Sequence, residues 1–77
     1  MGGKLMIHSI QLLDVVTLTE YLPERNLYRG QVGTVVEILA PDVFEVEFSD
    51  DKGQTYAILA LRVDQLMVLH YELVKAA

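Results

Sequence analysis

The sequence predicts a single all-β domain, and three observations carry that prediction. Turn-forming residues recur at short intervals: Pro23 with Glu24 to Asn26, then Gly30 and Gly33, then Pro41-Asp42, then Asp50-Asp51-Lys52-Gly53. Between them lie short runs rich in Val, Ile, Phe and Leu, a spacing that suits antiparallel strands better than a helical bundle. The third observation is strict alternation from Val43 to Phe48, where Phe44, Val46 and Phe48 interleave with Glu45 and Glu47. A period of two is the signature of a strand with one dry and one wet face.

The elements follow in order. Asp14 to Thr19 is a β-branched stretch that reads as the first strand, followed by a polar loop through Pro23 to Arg29. Two glycines three apart, Gly30 and Gly33, precede the next strand and permit a tight entry bend, with positive φ expected at one of them. Thr34 to Leu39 is that strand, with Val36 and Ile38 on one side and Glu37 on the other. The Ala40-Pro41-Asp42 turn joins it to Val43–Phe48. Ser49 to Gly53 then supplies a turn with Gly where φ is positive, and Gln54 to Leu61 returns as a third meander strand. Arg62 to Leu66 reads as one turn of 3₁₀ helix before a last strand from Met67 to about Tyr71. Strand, long loop, meander, 3₁₀ turn and closing strand is the element order of a small SH3-like barrel of about five strands. The barrel is expected over residues 12–71, between an N-terminal extension (1–11) and a C-terminal tail (72–77). Leu5 to Leu13 reads as an extra strand or a short helical turn, and Glu72 to Ala77 as a helical tail.

At 77 residues there is room for one domain with a thin core, and domains this small usually gain support from disulfides, a metal or a partner subunit. The absence of cysteine excludes disulfides and thiolate metal sites. Hydrophobic residues make up 52% of the chain, more than so small a globule can enclose. The fourth strand shows the surplus: Ala57, Leu59 and Leu61 fall on one face, while Tyr56, Ile58 and Ala60 fall on the other. Only one face can fill the barrel, so a homo-oligomer is expected, a symmetric dimer or a pair of dimers. Tyr56, Ile58, Met67, Leu69, Tyr71 and Leu73 are its candidate interface residues.

Six Lys and Arg against eleven Asp and Glu give a formal charge of −5, the wrong sign for an electrostatic hold on phosphate backbones. Nucleic acid is therefore disfavoured as a partner. The sequence has neither a signal-peptide pattern nor an apolar run of the roughly 18 residues a membrane helix needs, which leads to an expectation of a cytoplasmic bacterial protein.

Chemistry-bearing constellations are few. His8, His70, Ser9 and Ser49 form no recognisable nucleophile and base pair, so no catalytic residue is assigned and the chain is read as a non-enzyme. Asp50 and Asp51, with Ser49 and Asp42, lack the spacing of a calcium loop and read as a solvated turn, so neither metal nor cofactor is expected. Glu45, Glu47 and Glu37 form either a solvated outer face or an acidic patch for a basic partner. The loop from Tyr21 to Arg29 stands out because it carries two aromatics, a proline and two of the six basic residues. Tyr21, Arg25, Tyr28 and Arg29 are the candidate binding residues, with the tyrosines lining a groove. The alternative is that Leu22, Leu27 and one tyrosine only pin the loop to the barrel.

From Leu12 to His70 the chain resembles a family of small bacterial proteins known as domain of unknown function 4926. The resemblance rests on Leu13-Asp14-Val15-Val16, Leu22-Pro23-Glu24, Arg29 to Glu37, Val43 to Phe48, Leu61-Arg62 and Asp64-Gln65-Leu66. It implies no established activity. The glycine-entry strand is also similar to KOW-type barrels, which contact RNA through basic residues that this sequence lacks. The function expected is a non-catalytic protein-interaction module, an accessory or regulatory bacterial protein with an unidentified protein partner. A KOW-like nucleic-acid binder is the alternative and an enzyme of unknown type a lesser one.

Overall fold

The computed structural model describes residues 10–69. His8, His70, Tyr71, Leu73, the start of the N-terminal extension and the C-terminal tail lie outside them. Five strands form one antiparallel sheet: β1 (Val15–Leu18), β2 (Val32–Ala40), β3 (Val43–Ser49), β4 (Thr55–Arg62) and β5 (Leu66–Val68). Two 3₁₀ turns interrupt them, Pro23–Arg25 in the long loop and Val63–Gln65 just before β5. No α-helix occurs among the described residues. The element order is that of the small SH3-like barrel expected, and the strand order β4-β3-β2-β1-β5 places β2, the first meander strand, beside the β1–β5 pair. The long loop differs from expectation by containing its own 3₁₀ turn.

The pleat settles which residues enter the core. Phe44, Val46 and Phe48 are all buried, whereas Glu45 and Glu47 lie on the opposite face. Directly across β3, Val46 faces Val35 on one side and Leu59 on the other, and Phe44 faces Leu61. Strand β1 adds Val16 and Leu18, which pair with Val68 and Leu66 of β5. On β4, Leu59 and Leu61 are buried and Ala57 is half-buried, while Tyr56, Ile58 and Ala60 are exposed. The division of that strand into a core face and an outward face is as the sequence implies.

Strand β2 departs from the simple alternation. Gly33 and Val35 face inward, but the register with β3 shifts between Val35 and Glu37 and again between Ile38 and Ala40. An extra residue in one strand bends it and tightens its twist. Val36 falls in the first irregularity and is exposed. Beyond it Ile38 comes opposite Phe44 at the end of the sheet and stays exposed too.

The two glycines that precede and enter β2 act for different reasons. Gly30 has φ +93°, a left-handed conformation costly for other residues, with open space where a side chain would stand. Gly33 has ordinary strand geometry and is buried. A Cβ there would come 2.7 Å from Val46 Cγ1, 2.9 Å from the Glu47 carbonyl oxygen and 2.9 Å from Phe48 Cδ1. Gly53, at φ +82°, turns the β3–β4 hairpin as expected.

These features set two measurable outcomes. Phe44→Ala removes the whole of a buried ring on the strand between β2 and β4 and is expected to cost about 3–5 kcal/mol in chemical denaturation; a midpoint unchanged from the parent would contradict its core position. Gly33→Ala is expected to destabilise more than Gly30→Ala, because it pushes a methyl into backbone and core atoms, at about 1–3 kcal/mol or more, against roughly 1 kcal/mol for backbone strain alone. The reverse order in thermal melts would show that φ, not packing, governs this bend.

Candidate functional site

The long loop is built from its base outward. Leu18 closes it at both ends of the crossing: the Gly30 N–H donates to the Leu18 carbonyl at 2.8 Å, and the Leu18 N–H donates to the Gln31 carbonyl at 3.0 Å. The positive φ of Gly30 makes this return possible. Inside the loop, Leu22 and Leu27 form an isolated antiparallel bridge with reciprocal backbone hydrogen bonds of 2.8 and 3.1 Å. The chain between them turns through the 3₁₀ segment Pro23–Arg25, where proline's fixed φ suits the first turn. Asn26 then reverses it in the left-handed region, at φ 58°.

The side chains sort by the same pleat. Leu22 is buried and Leu27 is fully so, closing one end of the core. Their outer neighbours Tyr21 and Tyr28 remain more than half exposed, at 53% and 54%. The two rings stack on each other with centroids 5.0 Å apart and planes 17° from parallel. The leucines pin the loop, as one reading of the sequence had it, and both tyrosines stay outside as a paired aromatic platform. Arg25 and Arg29 lie on the same loop and are exposed. The ion pair found among the described residues is a different one, between Arg62 and Asp64 at 3.1 Å.

Three polar residues hold this arrangement and were not singled out from the sequence. Asn26 Oδ1 accepts a long hydrogen bond, 3.4 Å, from the Tyr28 hydroxyl. Gln31 accepts the Tyr28 N–H through Oε1 and donates from Nε2 to the Tyr56 hydroxyl at 2.7 Å. Gln65 fastens the start of the loop. It is buried, its Nε2 donates to Glu20 Oε2 at 2.9 Å, its Oε1 accepts the Arg62 N–H at 2.8 Å, and its carbonyl accepts the Thr19 N–H at 3.0 Å. The Thr19 hydroxyl also donates to the Asp64 carbonyl at 3.2 Å. The spacing of Gln31 three residues after Tyr28 was the available signal for the first of these links. The Gln65 bond to the Arg62 N–H has the local three-residue spacing of a capping box, whereas its link to Glu20 has no local pattern to reveal it, because that partner is 45 residues away in the chain.

The other candidates are placed as follows. Tyr56 and Ile58 lie on β4, Met67 on β5 and Leu69 just beyond it, and all four are exposed. The strand order puts the first two and the last two at opposite edges of the sheet. Glu37 stands directly across from Glu45, and Glu47 lies between Thr34 and Ile58 while accepting a hydrogen bond from the Thr55 hydroxyl. Asp50 Oδ1 accepts the N–H groups of Lys52 and Gln54 at 2.9 Å each, so this carboxylate is engaged inside its own hairpin turn. No group of three or more metal-ligating side chains forms among the described residues, and no pocket opens among them. No helix among them is long and apolar enough to cross a membrane.

A family model for a domain of unknown function, DUF4926, matches residues 12–68, most of the chain and all five strands. The chain belongs to the DUF4926 family. No curated protein and no solved structure matches it. The DUF4926 match begins just before β1 and ends with β5, so it includes the whole tyrosine loop.

The division of labour in the loop can be measured. Leu27→Ala is expected to cost about 2–5 kcal/mol by opening a cavity in the core. Tyr28→Ala should cost roughly 0.5–1.5 kcal/mol, the scale of an aromatic pair. Equal losses for the two variants in urea unfolding would place Tyr28 in the core and remove the platform.

Proposed function

We propose that this DUF4926 protein is a non-catalytic protein-interaction module that docks a partner on its tyrosine loop. The single observation that carries the reading is the stacked Tyr21–Tyr28 pair, exposed on both sides of a bridge whose leucines are buried. Two large amphipathic rings held in one conformation offer contact area at low entropic cost, which is why tyrosine is favoured at recognition surfaces. Arg25 and Arg29 add two exposed cations beside the rings, suited to carboxylates on the partner. The partner is accordingly an extended segment with an apolar or aromatic residue to lie on the rings and acidic residues nearby. A cytoplasmic, accessory role for such a module belongs to the same proposal.

A nucleic-acid ligand is the reading to set against it, since aromatic rings with arginines also receive single-stranded bases. The balance of charge disfavours it. The net charge is −5, and Glu37, Glu45 and Glu47 occupy the outer face of the neighbouring strands.

Selection of a random peptide library on the immobilised protein tests the proposal. Enriched peptides are expected to bind in solution and to lose at least about tenfold in affinity with Tyr28→Ala or with Arg25→Glu plus Arg29→Glu, 1.4 kcal/mol per factor of ten, at unchanged secondary structure. Peptide binding indifferent to these changes would move the site elsewhere. A salt-sensitive shift of labelled RNA or DNA in the absence of peptide binding would replace the proposal by the nucleic-acid reading.

A further inference from the structure

We propose that β4 pairs edge to edge with β4 of a second copy of this chain, joining two sheets across a two-fold axis near Leu59. The surface is distinct from the tyrosine loop and does not rest on its function. Among the described residues β4 has a strand neighbour on one side only, β3, and the other edge is open. The phase of its hydrogen bonds follows from the residue that ends it. The Val63 N–H donates to the Asp42 carbonyl at 2.9 Å, so in the alternating antiparallel pattern Leu61 and Leu59 bond to β3 while Arg62, Ala60 and Ile58 point their backbone groups away from it. The Arg62 N–H is already taken by Gln65 Oε1. The peptide groups of Ile58 and Ala60 are the ones left facing outward.

Edges of this kind are usually protected by charge, proline, a bulge or short length. The one irregularity of β4 lies at its start, where the register with β3 shifts between Phe48 and Ser49. From Ala57 to Leu61 the strand is regular, uncharged and free of proline. Its outward face is apolar, with Ile58 49% exposed. A second β4, antiparallel and centred on Leu59, uses those features directly. The N–H and C=O of Ile58 then exchange hydrogen bonds with those of Ala60 in the second copy, and the symmetry repeats the exchange. Large Ile58 comes to lie beside small Ala60, and Leu59 beside its own counterpart. An isologous contact of this type closes at two subunits.

Analytical ultracentrifugation of the full chain at tens of micromolar is the test. The expected species has twice the mass of one chain. Ile58→Lys places charges on both sides of the axis, and Ala60→Pro removes an N–H that the single chain does not use; each is expected to give the single-chain mass with a preserved β circular-dichroism spectrum. Amide exchange supplies a second readout, with the Ile58 and Ala60 N–H groups slowed at least about tenfold in the parent at high concentration relative to dilute protein. A parent at the mass of one chain at every concentration overturns the proposal. So does a dimer that survives both substitutions with Ile58 and Ala60 exchanging rapidly, which would place the contact on another surface.

Discussion

The structure depends on how closely β3 can approach β2 at Gly33. A single five-stranded sheet has no second layer to cover it, so the apolar face is buried only if the sheet curls over itself. Gly33 is the point in β2 where strands on both sides press in: Val16 of β1 lies opposite it on one flank and Phe48 of β3 on the other. The space a side chain would take is occupied by Val46, the Phe48 ring and the Glu47 carbonyl. With no Cβ in the way, the fully buried Val16, Val46 and Phe48 meet across β2. The irregularities further along β2 continue the bend and carry Val36 and Ile38 out of the packed region.

A curled sheet has ends, and this one is closed at the loop end by Leu22 and Leu27. The loop is not held by burial alone. Gln65 joins it to the 3₁₀ turn before β5 through Glu20 and Thr19, so the connections on either side of the β1–β5 pair are tied together by one buried amide. A buried amide with its donor and acceptor both satisfied contributes specificity at little net cost, whereas its loss strands its partners. At the opposite flank the ends of β4 are fastened too, Arg62 by the same Gln65 and Tyr56 by Gln31, while among the described residues the middle of β4 ends the strand order with an open edge. Between those two fastenings, the outward peptide groups of Ile58 and Ala60 have no strand partner among the described residues.

Much of this was legible in the sequence, and the parts that were share a cause. Phe44-Val46-Phe48 and the two faces of β4 follow from the period of the pleat, which needs no knowledge of neighbours. Gly30 and Gly53 follow from turn chemistry. Positive φ was expected at one of Gly30 and Gly33 and is found at Gly30; the need for glycine at position 33 is a close approach between strands that no local pattern encodes. The alternation of Val36 and Ile38 against Glu37 did not hold along the whole strand for a related reason, since a bulge between Val35 and Glu37 interrupts the period from which it was read. The loop was legible in its residues and ambiguous in its geometry. Tyr21 and Tyr28 both stay outside because Leu22 pairs with Leu27, a register that depends on the Pro23–Arg25 turn and on Asn26 reversing the chain. Function was read only as an expectation, because recognition depends on which side chains share a surface.

The same bridge places the leucines inward and the tyrosines outward, and this couples the candidate site to the stability of the domain. In a paired segment successive side chains alternate between faces, so shifting the pairing by one residue exchanges the two sets. Tyr21 and Tyr28 would then turn towards the core and Leu22 and Leu27 towards water, exposing two apolar side chains and burying two phenols without their hydrogen bonds. Both costs oppose the slip. The left-handed Asn26 and the positive φ of Gly30 reinforce the register, because each fits the chain reversal at one position only. The tyrosine platform is therefore set by core packing together with the Asn26 and Gln31 hydrogen bonds and the stacking of the two rings, which hold the exposed rings in one arrangement. That combination is what a recognition surface requires, since rings that are already ordered lose little freedom when a partner arrives.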